Sequence, residues 1–123
     1  MFAFLAVLAY TIALMTPAIL DQGRAPMLGH ETLTMLPFLP PQFYVPWIAN
    51  PLAVAAVIAL VYGKTMTSFL LALGAILCGC SIVFMLDPGM RLGAGFFVWQ
   101  GSFAILAVGS LAEMFVTKRL PAE

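Results

Sequence analysis

Apolar residues run almost unbroken through three stretches of this chain, Phe2 to Leu20, Met66 to Leu86 and Ala94 to Val116. Crossing the ~30 Å hydrocarbon core of a bilayer takes about 20 mostly apolar residues in a helix, so each stretch predicts a transmembrane segment. Glu113, near the end of the last, is the one charge among them. The first run is longer than a signal-peptide core and follows no basic segment. It reads as a retained helix, with cleavage after Pro17-Ala18 as the alternative.

A fourth apolar stretch, Trp47 to Gly63, contains Pro51. Proline removes one backbone hydrogen bond and crowds the preceding turn. If Asn50 caps a helix that starts at Pro51, the remaining run to Tyr62 is too short to cross. If the helix starts near Pro46, it spans with a kink and frees the Trp47 carbonyl, which must find another donor because lipid offers none. The second reading is preferred. The expected fold class is therefore all-α: a single integral membrane domain, 1–123, built as a polytopic bundle of four helices (2–20, 47–63, 66–86 and 94–116).

The connections follow from their composition. Gly63-Lys64-Thr65 has the length that joins antiparallel neighbours, which predicts a hairpin of the second and third spans. Asp87-Pro88-Gly89 combines a capping side chain, a fixed φ and a residue tolerant of positive φ, and reads as a tight turn. The long connection from Asp21 to Pro46 holds five prolines but also Met27, Leu28, Leu33, Met35, Leu36, Phe38 and Leu39. A segment this apolar belongs in the headgroup layer, with a short helix around Glu31 to Leu36 and an aromatic belt of Phe43, Tyr44 and Trp47.

Composition sharpens the picture. The chain is 63% hydrophobic and 8% charged, with a mean hydropathy of +1.09. A soluble domain this small could not enclose so much apolar surface, so the bilayer is its first partner. Five Lys and Arg balance five Asp and Glu, which excludes a basic nucleic-acid surface. Four crossings put Lys64, Lys118 and Arg119 on the side of the N-terminus and Arg24 and Arg91 opposite. This bias predicts both termini inside.

Candidate chemistry is sparse. Glu113 lies within one or two turns of Lys118 and Arg119, at interfacial depth, where a carboxylate is hydrated or paired rather than relaying protons. Asn50 before Pro51 could coordinate an ion or polar solute, as broken helices do in transporters, although capping explains the pair with less. Gln100 beside Trp99 reads as an interhelical hydrogen bond. Cys78 and Cys80, two apart on a helix, face nearly opposite ways, so no metal site is expected. Gly74, Cys78 and Ser81 form one small-residue stripe, Ala75 and Gly79 another, and Gly101, Ala104 and Ala107 a third, each suited to close helix approach. His30-Glu31 is a lone pair in a loop. With no nucleophile set and no phosphate-cradling glycine loop, neither catalysis nor a cofactor is expected.

Three segments carry a resemblance: Gly29-His30-Glu31, Trp47-Ile48-Ala49-Asn50-Pro51 and the run from Gly93 to Ser102. Together they resemble small four-helix bacterial inner-membrane proteins with a WLANP-like motif before the second span and a GYxLWxxS-like motif before the fourth. The match maps onto Gly29, Glu31, Trp47, Ala49, Asn50, Pro51, Gly95, Trp99 and Ser102, over almost the whole chain. Phe96 stands where the pattern has Tyr, and Gln100-Gly101 replaces a more apolar pair. The resemblance implies topology and inner-membrane location. It also suggests that Trp47 and Asn50 meet Trp99 and Ser102 under the long loop as a polar and aromatic cap. Together with Pro51 and Gln100, singled out from their own chemistry, these are the candidate residues of a structural or solute site.

Two functions follow. One is a non-enzymatic membrane protein acting by helix packing with itself or a larger membrane partner. The other is a minimal transporter or channel for a small solute or ion, for which only Thr11, Thr16, Asn50, Ser81 and Gln100 offer polar lining. Small multidrug transporters, of similar size, carry an acid in the first span; this chain has none there.

Overall fold

The computed structural model describes residues 1–35, 38, 41 and 44–119, the last two by backbone only. Three long helices dominate it: α3 (Tyr44–Val61), α4 (Thr65–Cys80) and α5 (Ala94–Arg119). A shorter helix, α1 (Phe2–Leu14), runs along α5, and a small α2 (Gly29–Thr34) follows the strands β1 (Pro17–Asp21) and β2 (Met27–Leu28). A third strand, β3 (Met90–Leu92), leads into α5.

Three of these segments are long and apolar enough to cross a membrane. They are Tyr44–Val61, Thr65–Met85 and Ala94–Thr117, with mean hydropathies of 1.9, 2.3 and 1.5. The first apolar run differs from expectation. Its helix stops at Leu14 after 13 residues, which at ~1.5 Å per residue is about 20 Å. The cause is local. Pro17 biases Thr16 out of the helical region and cannot donate to the preceding turn. The exposed carbonyls are then taken by side chains: Thr16 Oγ1 donates to Ala13 O at 3.1 Å, and His30 Nδ1 to Leu14 O at 3.0 Å. Because a carbonyl only accepts, this bond requires the proton on Nδ1.

Beyond Thr16 the chain becomes β1, the centre of an antiparallel sheet in the order β2-β1-β3. Pro17 lies opposite Leu28 and Ile19 opposite Met27, while Ile19, Leu20 and Asp21 face Leu92, Arg91 and Met90. The all-α expectation is thus corrected. The reason is Pro17: apolar composition could not distinguish a strand buried against helix ends from a further turn of helix. Close approach makes the docking possible, since a side chain at Gly29, Gly93 or Gly95 would collide with the backbone of Ala13, Pro17 or Thr16.

The long connection is also more structured than a loop. It contains β2 and α2, and α3 begins at Tyr44, three residues before the expected Trp47. The short helix expected at Glu31 to Leu36 is α2; Leu36 and Phe43 lie outside the described residues. Glu31 Oε2 accepts from Leu28 N at 2.8 Å at the start of α2, one half of a capping box. The third span ends its α-helix at Cys80 and continues as a 3₁₀ segment, Ser81–Met85. The tight turn follows, with Gly89 at φ 101° and Met90 N donating to Asp87 O at 3.0 Å.

Gly63 closes α3 with φ 72°, while Lys64 N donates to Ala59 O and Gly63 N to Leu60 O. This paired pattern of a left-handed glycine at a helix end reverses the chain into α4, giving the expected hairpin. Helix α5 is the hub. It packs against α4 on one side and α1 on the other, whereas α1 and α3 scarcely touch. Its Phe103 and Leu106 are fully buried among Ala6, Ala49, Ala53, Ala56, Ala72 and Ala75 from the other three helices. Alanine lets helices approach closely where dispersion contacts, not expulsion of water, hold them together.

A polar tie crosses this core. Ser68 Oγ on α4 donates to Ala56 O on α3 at 2.8 Å and accepts from Ser110 Oγ on α5 at 2.8 Å. Both serines are 0% exposed. Ser68→Ala should therefore destabilise the bundle by about 1 kcal/mol, measured by denaturant titration in mixed micelles. An unchanged midpoint would show that the single Ser110 hydroxyl proton stays on Leu106 O of its own helix, at 2.7 Å, and that the Ser68 bond to Ala56 O adds no net stability.

Candidate functional site

The site grows from the backbone group that Pro51 leaves open. Helix α3 continues through Pro51, so the Trp47 carbonyl has no N–H four residues on. Asn50 Nδ2 donates to it at 3.1 Å. The amide is then oriented: with its nitrogen on Trp47 O, its oxygen faces α1 and α5. Tyr10 Oη donates to Asn50 Oδ1 at 2.8 Å, and Trp99 Nε1 donates to the same atom at 3.0 Å. An indole N–H can only donate, so this orientation of the amide is the one compatible with all three bonds. Asn50 is 9% exposed, and it joins α1, α3 and α5 in one layer.

Aromatic rings surround the network. Trp99 meets Phe103 edge-on with centroids 5.0 Å apart and Phe96 at 6.0 Å, and Tyr10 lies 6.5 Å from Phe103. Such tilted and edge contacts hold the rings in fixed orientations around the amide.

Above this layer, toward the sheet, lies a cavity of about 200 Å³. Its floor is Trp47, Asn50 and Trp99, and Phe96 and Pro46 line its sides. Its roof comes from β1 and β2, through Ala18, Ile19 and Met27, with Thr32 and Leu33 of α2. Ala13 and Leu14 at the end of α1 and Ile82 after α4 complete the wall. The lining is almost entirely apolar. Trp47 Nε1 is buried with no hydrogen-bond partner among the described residues.

Of the residues singled out from sequence, the structure brings Trp47, Asn50 and Trp99 together. Pro51 takes part through the carbonyl it frees. Ser102 is buried but turned into its own helix, donating to Trp99 O at 2.6 Å. Gln100 lies over Gly79 of α4, and neither of its amide atoms has a partner among the described residues. The residue facing it is a glycine, which allows contact but supplies no side-chain partner, so the expected interhelical bond is absent.

Sequence reasoning passed over Tyr10, Ser68 and Ser110. The single tyrosine of the first span was the available signal, since a buried phenol seeks an acceptor. His30 and Glu31 close helix ends, as described above. Among the described residues no group of three or more His, Cys, Asp or Glu could hold a metal, and Cys78 and Cys80 are free thiols, one half-buried and one exposed. Compared with protein-family models, curated proteins and solved structures, the chain matches none.

Removing the amide should cost more than one hydrogen bond. Asn50→Ala leaves Trp47 O, Tyr10 and Trp99 unpaired and should destabilise the fold by about 2 kcal/mol. Pro51→Ala restores an N–H to the Trp47 carbonyl, so in that background the Asn50→Ala penalty should shrink by about 1 kcal/mol. A double-mutant cycle in detergent reads this coupling directly. A coupling of zero would mean that Asn50 does not serve the carbonyl.

Proposed function

We propose that the chain is a non-enzymatic multi-pass protein of the bacterial inner membrane that acts through helix packing with itself or with a larger membrane partner. In this reading it crosses four times, with both termini on the cytoplasmic side. The outward face of α5 is the observation that carries the packing assignment. Phe97, Ala104 and Val108 on that face are exposed, and Gly101 is the helical glycine whose missing side chain would meet open space. Gly74, Gly79, Gly95 and Gly109 are each covered by a neighbour. Spacings of three and four residues put Phe97, Gly101, Ala104 and Val108 on one stripe. A smooth notch between two bulky residues is a shape that a second transmembrane helix fills.

The antiparallel packing supports the four-crossing topology. Phe2 sits against Gly109, Tyr10 against Phe103, and Thr16 against Gly95. The start of α1 and the end of α5 therefore share one end of the bundle, with Lys64 between α3 and α4. Although α1 is short, the chain continues as β1, whose backbone is bonded on both edges, as burial near lipid requires. Glu113 lies one turn past Ser110, which pairs with Ser68 near the start of α4. That depth suits an interfacial carboxylate.

A transporter would need polar groups free to exchange partners along its interior. Thr11, Thr16 and Ser81 instead bond nearby carbonyls of their own segments, and Asn50 is engaged on both sides of its amide, which leaves Gln100, against Gly79, as the one of the five with unpartnered polar atoms among the described residues. These observations favour the packing reading.

Two measurements test it. Tags at Met1 and Glu123 should be reached from the same, cytoplasmic face; opposite faces would remove one crossing. Gly101→Leu should weaken self-association or partner capture about tenfold, because overfilling a close-packed contact costs roughly 1–3 kcal/mol and about 1.4 kcal/mol is a factor of ten. Energy transfer between labelled copies, and crosslinking in native membranes, read the two cases. Association unchanged in both would overturn the assignment to α5.

A further inference from the structure

We propose that the cavity beneath the sheet is a binding site for a hydrocarbon chain, the acyl or isoprenoid tail of a membrane lipid. This inference rests on the membrane reading above but concerns a different part of the molecule.

The cavity has a structural cause. The first apolar run stops being a helix at Leu14 and continues as a strand, which is thinner than a helix with its side chains. The slim β1 and its small Ala18 form part of the lining and leave the space beneath them unfilled. The cavity is partly open, and α1 and α3, which both contribute to its lining, scarcely touch apart from the Tyr10 to Asn50 bond.

Its size and lining select the ligand. An apolar cavity of about 150 Å³ stays dry and takes benzene, and this one holds about 200 Å³. Water would gain little here: Asn50 Oδ1 already accepts two bonds and its nitrogen donates to Trp47 O, which leaves Trp47 Nε1 as a single open donor among the described residues of the floor, and a buried water needs two to four polar partners. A charged or strongly polar solute would lose its hydration with only that one N–H to replace it. A flexible hydrocarbon chain fits the space, and two indoles and the Phe96 ring provide broad apolar walls. In a bilayer such chains are the surrounding solvent, so no carrier is required.

The chain offers its own reporter. Trp47 and Trp99 are its two tryptophans, and both line the cavity. Phosphatidylcholine brominated along its acyl chains should quench their fluorescence in vesicles, saturating as the brominated fraction rises. Ala18→Leu and, separately, Leu33→Phe fill the cavity and should each remove half or more of the saturable part, with circular dichroism unchanged. Equal quenching in wild type and in both folded variants would mean that bromine reaches the indoles only from outside, and would overturn the site. So would an absence of quenching. Saturable quenching by 1-bromooctane but not by the brominated lipid would overturn the lipid source in favour of a free apolar solute. Flotation of the same samples separates the two readings: protein that floats with vesicles yet shows no saturable quenching refutes the cavity alone. Protein that fails to float refutes the membrane reading and this site with it.

Discussion

A carbonyl group that cannot be left unpaired organises this molecule. Pro51 removes the donor that Trp47 O would have used, and in an apolar surround the lost bond must be replaced. Asn50, one residue earlier, reaches back with its amide nitrogen. The consequence spreads, because fixing the nitrogen fixes where the oxygen points. That oxygen collects Tyr10 from α1 and Trp99 from α5, so a local repair in one helix sets the relative position of three.

The second polar layer ties a different set. Ser68 and Ser110 connect α3, α4 and α5, and between the layers the core is nearly all alanine around Phe103 and Leu106. Every long helix is thereby tied to α5 directly or through one neighbour. Small side chains bring backbones close enough for a serine hydroxyl to reach the next helix, and those bonds in turn hold the close approach. The weak edge is between α1 and α3, where a single hydrogen bond stands in for a packed interface.

That weak edge and the cavity share an origin in the early end of α1. Thr16 and His30 cap the open carbonyls, Pro17 starts a strand, and glycines at 29, 93 and 95 let the sheet settle on the helix ends. What the bundle gains is a roof whose backbone is bonded internally. What it lacks is bulk directly beneath, and the two tryptophans stand at the edge of that space.

The apolar runs by themselves determined two of the three long helices, α4 and α5, and the chemistry of Pro51 left the third, α3, as the preferred of two readings; the α3–α4 hairpin, the turn at Gly89 and the need for a donor at the Trp47 carbonyl were legible as well. Each depends on neighbours in sequence, on chain length against bilayer thickness, or on the chemistry of proline and glycine. Motif residues Trp47, Asn50 and Trp99 were legible as a group, but their partner Tyr10 was not, since nothing local says which of several spans a phenol faces. Only the tertiary structure decided that the first apolar run becomes a strand, because Ala18 to Leu20 pack equally well in a helix and in a sheet until Met27 and Leu92 arrive on either side of Ile19. It alone decided that Gln100 rests on Gly79 without a bond to any of the described residues. It also decided that a cavity lies over Asn50, for empty space is a property of how elements meet and leaves no mark in the sequence of any one of them.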